Sequence, residues 1–257
     1  MRMTLESGIT LDVQVEGEGR PVVLLHGWPD NKRLWSKQVG ALVDAGFQVI
    51  VPDQRGYGAS DKPAEVEAYS IVFLAMDIVG HDWGAAIAWA VASFAPERVG
   101  HLVALSVGHP SAFVGAGLPQ REKSWYMLLF QFPGVAEQWL SMDNWANFRE
   151  WAHHPDADAV IADLERDGSL TTGLNWYRAN VPPEALITPP LELPPIQAPT
   201  MGVWSDRDFA LIEEQMTGSA KSCAGEFRYE RIDNHDHWMQ VEAPDKVNAL
   251  LLDFLPR

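Results

Sequence analysis

Residues 79–85 read VGHDWGA and contain a turn of the form Gly-x-Asp-x-Gly centred on Asp82. In a sharp turn between a strand and a helix, small residues on both sides permit close packing, and the middle side chain is held exposed at the carboxyl edge of the sheet. The Ala-rich stretch GAAIAWAVASF that follows is typical of a helix. Turns rich in Asp and Gly are common, so this pattern alone leaves Asp82 as either a nucleophile or a structural turn residue.

Strand and helix patterns surround this turn. The apolar runs PVVLL, FQVIVP and HLVALS indicate buried parallel strands, and the alternating stretch ITLDVQV at residues 9–15 is typical of an antiparallel edge strand. The later stretches PTMGVWS and EFRYERI indicate two further strands, and APDKVNALLLDFL indicates an amphipathic final helix. This alternation predicts an α/β fold with a doubly wound, mostly parallel sheet.

An aromatic segment with helical spacing interrupts the alternation and ends in the Pro-rich stretch VPPEALITPPLELPP. We interpret it as a helical cap inserted into the core. The predicted organisation is therefore a first part of the core at residues 1–110, the cap at 111–190 and a second part of the core at 191–257.

The segment before the turn is unusually short. Parallel neighbours need a crossover of roughly a dozen residues or more, usually a helix. Residues 70–79, SIVFLAMDIV, are too few to supply a helix, a loop and a strand. The sequence therefore predicts either a shortened crossover or a missing piece of the natural chain. A lost crossover helix would expose apolar core, so a homodimer is one expected consequence.

Composition excludes several classes of partner. A formal net charge of −16 at pH 7 argues against nucleic acid and anionic membranes. Cys223 is the single cysteine, so an intrachain disulfide and a thiolate metal cluster are excluded. The apolar runs are too short to span a membrane, and the first residues do not resemble a signal peptide. A cytoplasmic location is therefore expected.

Two later segments supply partners for a nucleophile. Hydrolases of this sheet type place the nucleophile, an acid and a histidine in that chain order. The segment VWSDRDFAL offers Asp206 and Asp208, and NHDHWMQ offers His235 and His237. Each segment follows a predicted strand, so its loop reaches the same sheet edge as Asp82.

The segment HGWP supplies a fourth part of the predicted site. It follows a strand, and its backbone can be directed towards the turn. The backbone N–H groups of Trp28 and Trp83 would then form an oxyanion hole. His26 and His81 are interpreted as structural residues, hydrogen-bonded within these loops.

The chain resembles the epoxide hydrolases of the α/β-hydrolase fold. The segments that carry the resemblance cover most of the chain in the family's order: HGWPD, VPDQRGYGASDKP, GHDWGA, FQFPGVAE, LNWYR and HWMQVEAPDKV. The resemblance implies that Asp82 is the nucleophile and that His237, which directly precedes a tryptophan, is the general base. It favours Asp208 as the acid partner of His237. It also implies that Tyr126 and Tyr177 of the cap donate hydrogen bonds to the epoxide oxygen.

The resemblance implies conversion of an epoxide and water to a vicinal diol through a covalent aspartyl ester, in detoxification or catabolism. No cofactor and no metal are expected, and HHPDAD at residues 153–158 is interpreted as a solvated cap loop. Aromatic and aliphatic residues of the cap indicate an apolar site for an aryl or alkyl epoxide: Trp125, Leu128, Phe130, Phe132 and Trp176.

Two alternatives stay open. A haloalkane or haloacid dehalogenase shares the Asp nucleophile and the triad, and Trp83 stands where such enzymes often hold the halide. HDWGAAIAW contains no arginine for a substrate carboxylate, which counts against the fluoroacetate type. The second alternative is an inactive α/β-hydrolase fold that serves as a binding protein.

Overall fold

A computed structural model describes residues 1–5, 7–63, 65, 77–186 and 192–256, and it contains one eight-stranded sheet with the order β1-β2-β4-β3-β5-β6-β7-β8. The strands are β1 (Arg2–Thr4), β2 (Thr10–Glu16), β3 (Arg20–Leu25), β4 (Phe47–Pro52), β5 (Asp77–His81), β6 (Leu102–Leu105), β7 (Thr200–Ser205) and β8 (Phe227–Ile232).

Six of these strands, β3 to β8, run parallel. The middle strands are buried along their whole length, which explains their continuous apolar sequences. In register, Leu24 of β3 pairs with Val79 of β5, and Val79 pairs with Val103 of β6. The predicted α/β fold with a mostly parallel sheet is confirmed.

The first two strands are antiparallel, as the alternating sequence predicts, but β2 is not the edge. It pairs with β4 on one side and with β1 on the other, so the three-residue β1 is outermost. Within β2, Val13 is buried whereas Val15 is exposed, so only part of the predicted apolar face packs on the core.

In the described part of the chain, five α-helices accompany the core strands, and six lie between β6 and β7. The core helices are α1 (Ser36–Asp44), α2 (Trp83–Phe94), α9 (Glu213–Thr217), α10 (Met239–Glu242) and α11 (Pro244–Phe254). The intervening helices are α3 (Pro110–Gly115), α4 (Gly117–Lys123), α5 (Tyr126–Leu129), α6 (Val135–Ala152), α7 (Ala157–Leu164) and α8 (Ser169–Asn180). These six helices coincide with the predicted cap, whose exact boundaries stay a prediction.

Helix α8 of the cap is fastened to the core loop after β4 by two hydrogen bonds. The indole N–H of Trp176 donates to the carbonyl of Arg55 at 3.1 Å, and the hydroxyl of Thr172 donates to the carbonyl of Gly56 at 2.7 Å. Both donors belong to α8. These contacts hold α8 over the carboxyl edge of the sheet, where the predicted site lies.

The shortened crossover predicted at residues 70–79 lies mainly outside the described residues, because only its last three residues appear, at the start of β5. Among the helices that the structure describes, none is both long and apolar enough to cross a bilayer.

Candidate active site

Asp82 stands on a strained turn between β5 and α2. Its φ and ψ angles are 54° and −123°, a conformation that a non-glycine residue adopts only when the surroundings impose it. Gly84 makes the turn sterically possible, since a Cβ atom at this position would collide with the carbonyl oxygen of Leu25 on β3. The sheet and helix therefore present the Asp82 side chain at the carboxyl edge, as the sequence pattern predicts.

Two backbone N–H groups hold one side of the Asp82 carboxylate. The N–H of Trp28 donates to Oδ1 at 2.8 Å, and the N–H of Trp83 donates to the same carboxylate. Gly27 permits this approach, because a Cβ at residue 27 would collide with the carboxylate. The structure thus brings both predicted oxyanion donors to the Asp82 carboxylate, with the N–H of Trp28 on Oδ1 and with Oδ2 facing His237.

His237 lies between Asp208 and Asp82. Its Nδ1 lies 2.9 Å from Oδ2 of Asp208, and its Nε2 lies 3.7 Å from Oδ2 of Asp82. Oδ1 of Asp208 accepts from the N–H groups of Ala210 and Leu211 at 2.9 and 3.0 Å. An acceptor carboxylate at Nδ1 fixes the tautomer with its proton there, which leaves Nε2 able to accept a proton.

The alternative acid and histidine lie apart from this arrangement. Oδ1 of Asp206 accepts from the N–H of Asn234 at 2.6 Å, and Nδ1 of His235 lies 2.8 Å from the carbonyl of Asp233. Both contacts belong to the loops that follow β7 and β8. The geometry therefore favours Asp208 over Asp206 and His237 over His235.

The backbone of His237 is held by His81, the last residue of β5, and by Ser106, which directly follows β6. Its carbonyl lies 3.0 Å from Nε2 of His81 and accepts from the hydroxyl of Ser106 at 3.1 Å. Ser106 adopts a φ of 67°, so its position after β6 is also strained. His26 contacts backbone as well, since its Nε2 accepts from the N–H of Gln54 at 3.0 Å.

Tyr126 and Tyr177 come from α5 and α8 and are both buried at the site. Their side chains share a hydrogen bond, and the ring of Tyr177 meets that of Trp83 edge-on at 5.0 Å. Burial, and secondly the charge of Asp82, raise the pKa of both phenols well above 10. Both hydroxyls therefore keep their protons and can serve as donors.

Burial also shapes the nucleophile and the base. It raises the pKa of Asp82 to about 6, although the charge of His237 and the two backbone N–H groups oppose this shift. Burial lowers the pKa of His237, but the adjacent charges of Asp208 and Asp82 and the hydrogen bond to Asp208 outweigh it and raise that pKa to about 9. The geometry and charges favour an ionised Asp82 beside a protonated His237 at neutral pH.

A cavity of about 10 Å³, room for about one water molecule, lies between these groups. It is lined by Asp82, His237 and both tyrosines. Five further residues line it that were not predicted as cavity-lining residues: Trp28, Trp151, Phe209, Ala210 and Trp238. Phe209 and Trp238 directly follow Asp208 and His237, so adjacency could have indicated them. No local motif indicates Trp151.

The predicted substrate-binding residues divide into two groups. Trp125, Leu128 and Phe132 are 47%, 49% and 54% exposed, and none of the three lines the cavity. The structure therefore does not bring these three residues to Asp82, whereas Tyr126, the first residue of α5, is buried and lines the cavity. Phe130 and Trp176 are buried, and their rings lie 5.0 Å from Tyr177 and 6.0 Å from Trp83. A substrate contact by these two stays a prediction.

The sequence predicts that the segment HHPDAD is a solvated loop. This prediction is wrong for His154, which is buried. Nε2 of His154 lies 3.1 Å from Oδ1 of Asp30, and Oδ2 of Asp30 accepts from the indole N–H of Trp238 at 2.9 Å. Nδ1 of His154 accepts from the N–H of Asp156 at 2.9 Å, so Nε2 carries the proton and donates to Asp30. This series of hydrogen bonds links the cap to Trp238, the residue that follows His237.

Within the described ranges, no cluster of three or more acidic, His or Cys side chains could hold a metal ion.

Comparison with known proteins gives the context for this geometry. The profile of the alpha/beta hydrolase family matches residues 22–250. The AB hydrolase superfamily protein YfhM of Bacillus subtilis is 34% identical over 278 residues, covering 97% of this chain and 95% of that protein. Epoxide hydrolase A of Mycobacterium tuberculosis is 32% identical over 312 residues, covering 99% and 96%.

Both alignments are longer than this chain of 257 residues, so each relative carries residues for which this chain has no counterpart. Among solved structures, an epoxide hydrolase from metagenomes of hot environments superimposes with a TM-score of 0.85 at 31% identity, covering 100% of this chain and 98% of that one. With a strained Asp turn, a His-Asp pair and two cap tyrosines around one cavity, the chain belongs to the alpha/beta hydrolase family, on its epoxide hydrolase branch.

Proposed function

We propose that this protein hydrolyses apolar epoxides to vicinal diols through a covalent ester on Asp82. The observation that carries the proposal is the placement of two buried, protonated phenols across one cavity from a carboxylate. An epoxide carbon is an alkyl electrophile whose leaving group is an alkoxide, and that oxygen needs a proton donor as the ring opens. Tyr126 and Tyr177 would supply the donors.

In the first step, Oδ2 of Asp82 attacks an epoxide carbon, because Oδ1 is occupied by the N–H group of Trp28. The carbon–oxygen bond of the ring breaks, and its electron pair passes to the oxygen, which takes a proton from a tyrosine. The product is a hydroxyalkyl ester of Asp82. A serine at this position would suit acyl substrates, whereas a carboxylate can displace oxygen from an alkyl carbon in line.

In the second step, water attacks the ester carbonyl of Asp82 while Nε2 of His237 removes its proton. The oxyanion forms on Oδ1, which already accepts from the N–H of Trp28, and the N–H of Trp83 donates to the same carboxylate. Asp208 stabilises the imidazolium through Nδ1. Collapse of this intermediate breaks the bond between the carbonyl carbon and Oδ2, and the departing oxygen takes the proton held by His237. The second proton of the water returns to the tyrosine that gave its proton in the first step. The new oxygen of the diol is therefore Oδ2 of Asp82, while the oxygen of water stays in the carboxylate.

The second candidate is a dehalogenase, which uses the same attack and the same ester hydrolysis. Trp83 follows the nucleophile, where an indole N–H can hold a halide. A halide leaves without a proton, however, so a dehalogenase would have no use for two phenol donors above Asp82. The paired tyrosines therefore favour an epoxide. A binding protein without catalysis would likewise need no His237 between two carboxylates.

The test compares diol formed from styrene oxide with bromide released from 1-bromobutane, for the wild type and for two matched variants. Asp208→Asn removes the acid partner of His237, whereas Asp206→Asn changes a carboxylate of the same loop outside the triad. We expect diol from the wild type and Asp206→Asn, and a loss of turnover in Asp208→Asn. Bromide release without diol would replace the proposal with dehalogenation.

The reactants that this mechanism requires are one small epoxide and water. A cytoplasmic location and a homodimer stay predictions from the sequence. Light scattering of the purified chain measures the second, and a monomer at micromolar concentration would contradict it.

A further inference from the structure

We propose that Trp151 and Phe209 form the entrance of the active site, and that Trp151 sets the size of the epoxide that the enzyme accepts. This inference rests on the proposed epoxide chemistry and concerns a property that the mechanism does not explain, the access of substrate to Asp82. The cavity beside Asp82 measures only about 10 Å³, which is far too small for an epoxide. Some part of its wall must therefore move before substrate can enter.

Exposure identifies the part of the wall that faces solvent. Nine of the residues that the structure describes line the cavity, and seven of these nine are buried. Trp151 and Phe209 are the two that are only half-buried, so each has one side towards the cavity and another towards solvent. A route from solvent to Asp82 past these two rings displaces fewer packed atoms than any route through the other seven residues.

These two rings also meet across the junction of cap and core. Trp151 belongs to α6 of the cap, and Phe209 belongs to the core loop directly after Asp208. Their ring centroids lie 5.4 Å apart at an interplanar angle of 89°, an edge-to-face contact that closes the gap between the two parts. Separation of these two rings would open the cavity on the side that faces solvent.

Of the pair, Trp151 has the stronger influence on the size of the site. Its ring lies 4.8 Å from that of Tyr126 and 5.9 Å from that of Trp28, so it occupies space directly above the reacting groups. The ring of Phe209 instead stacks on that of Trp238, with the ring centroids 5.7 Å apart. We expect a slender terminal epoxide to need only a small displacement of the Trp151 ring, whereas an epoxide with an aryl group on each carbon requires the indole to leave its position.

The experiment compares 1,2-epoxyhexane with trans-stilbene oxide as substrates for the wild type, Trp151→Ala, Phe209→Leu and Trp139→Ala. Trp139 is the matched control, because it lies in the first part of α6, before the non-helical break at Met142–Trp145, and contacts the same Trp151 ring at 6.2 Å but does not line the cavity. We expect kcat/KM for stilbene oxide relative to epoxyhexane to rise about tenfold or more in Trp151→Ala and to rise in Phe209→Leu. In Trp139→Ala it should stay within about twofold of the wild type, since a residue outside the pocket leaves substrate contacts unchanged.

A measurement that needs no catalysis accompanies the kinetics. Binding of trans-stilbene, which has the shape of the larger substrate but no epoxide, is followed by its own fluorescence in each folded variant. If trans-stilbene binds about tenfold more tightly to Trp151→Ala than to the wild type, the result supports the proposal that Trp151 limits access to the site. This holds even if the wild type opens neither epoxide, because that outcome would refute only the proposed chemistry. Unchanged selectivity and unchanged stilbene binding in both Trp151→Ala and Phe209→Leu would refute the entrance. An equal effect of Trp139→Ala would also refute it, because general loosening of the cap would then explain the result.

Discussion

Nε2 of His237 lies 3.7 Å from Oδ2 of Asp82, which is longer than a hydrogen bond, while Nδ1 of the same ring lies 2.9 Å from Asp208. The imidazole is thus fixed by Asp208 and faces the nucleophile without being bonded to it. This separation leaves Oδ2 of Asp82 free to attack. After the ester has formed, a water molecule can approach its carbonyl carbon from the side of Nε2.

This arrangement predicts that His237→Gln will stop the reaction halfway. Attack by Asp82 needs no base, whereas ester hydrolysis needs His237 to take a proton from water. We expect the variant to accumulate an ester, seen in the intact mass as an increase equal to the mass of the epoxide. His235→Gln is the control and should show no accumulated adduct. An unmodified mass for His237→Gln after incubation with substrate would contradict this assignment.

The route of oxygen gives a second prediction. In a single turnover in heavy-oxygen water, the diol should contain no label, because its new oxygen comes from Oδ2 of Asp82. The label should instead appear in the peptide that contains Asp82, and diol formed in later turnovers should carry it. Mass spectrometry of both products measures this distribution. Label in the diol of the first turnover would rule out the ester route.

Loss of the phenols should affect only ring opening. Tyr126→Phe and Tyr177→Phe should each slow ester formation about 100-fold, and the double variant by about 10⁴-fold, because general acids contribute factors of this order. The rate of ester hydrolysis should remain within about threefold of the wild type, since the phenols take no part in that step. Rapid mixing resolves the two rates. Wild-type ester formation in the double variant would refute the role of the tyrosines.

The two half-reactions should depend on pH in different ways. Only the ionised carboxylate attacks, and the pKa of Asp82 is raised to about 6, so ester formation should fall as the pH drops below about 6. Hydrolysis needs neutral His237, whose pKa is raised to about 9 by Asp208 and, in part, by Asp82. Esterification removes the charge of Asp82, so the midpoint of hydrolysis should lie below about 9 and the rate should rise with pH. Single-turnover rates between pH 5 and 10 measure both profiles. A hydrolysis rate that falls as the pH rises would contradict the role of His237 as base.

The contact between His154 and Asp30 predicts a stability effect from the cap. His154→Leu removes one donor from a buried carboxylate, and a hydrogen bond to a charged group contributes about 1.5–3 kcal/mol to the free energy of unfolding. We expect a loss of that order in urea denaturation. His153→Leu changes an exposed neighbour and should alter stability by less than about 0.5 kcal/mol. Equal stability of both variants would show that the buried contact contributes nothing measurable.

The features of this protein that follow from short sequence patterns could be predicted before the structure was known. Buried strands, the strained turn at Asp82 and the chain order of nucleophile, acid and histidine were readable because each sits at a strand end with its own turn chemistry. The oxyanion donors could be anticipated for the same reason, since the HGWP loop follows the strand that neighbours β5.

Contacts between elements that are distant in sequence, above all between the cap and the core, could be seen only in the tertiary structure. It separated Asp208 from Asp206 by their hydrogen bonds, directed Trp125 and Leu128 to solvent, and buried His154 against Asp30. Trp151 and Phe209 are 58 residues apart in sequence and meet only because the cap folds back over the sheet. Residue spacing encodes the period of a helix or strand, whereas the packing of cap on core depends on the combined shape of many side chains, and no short motif records it.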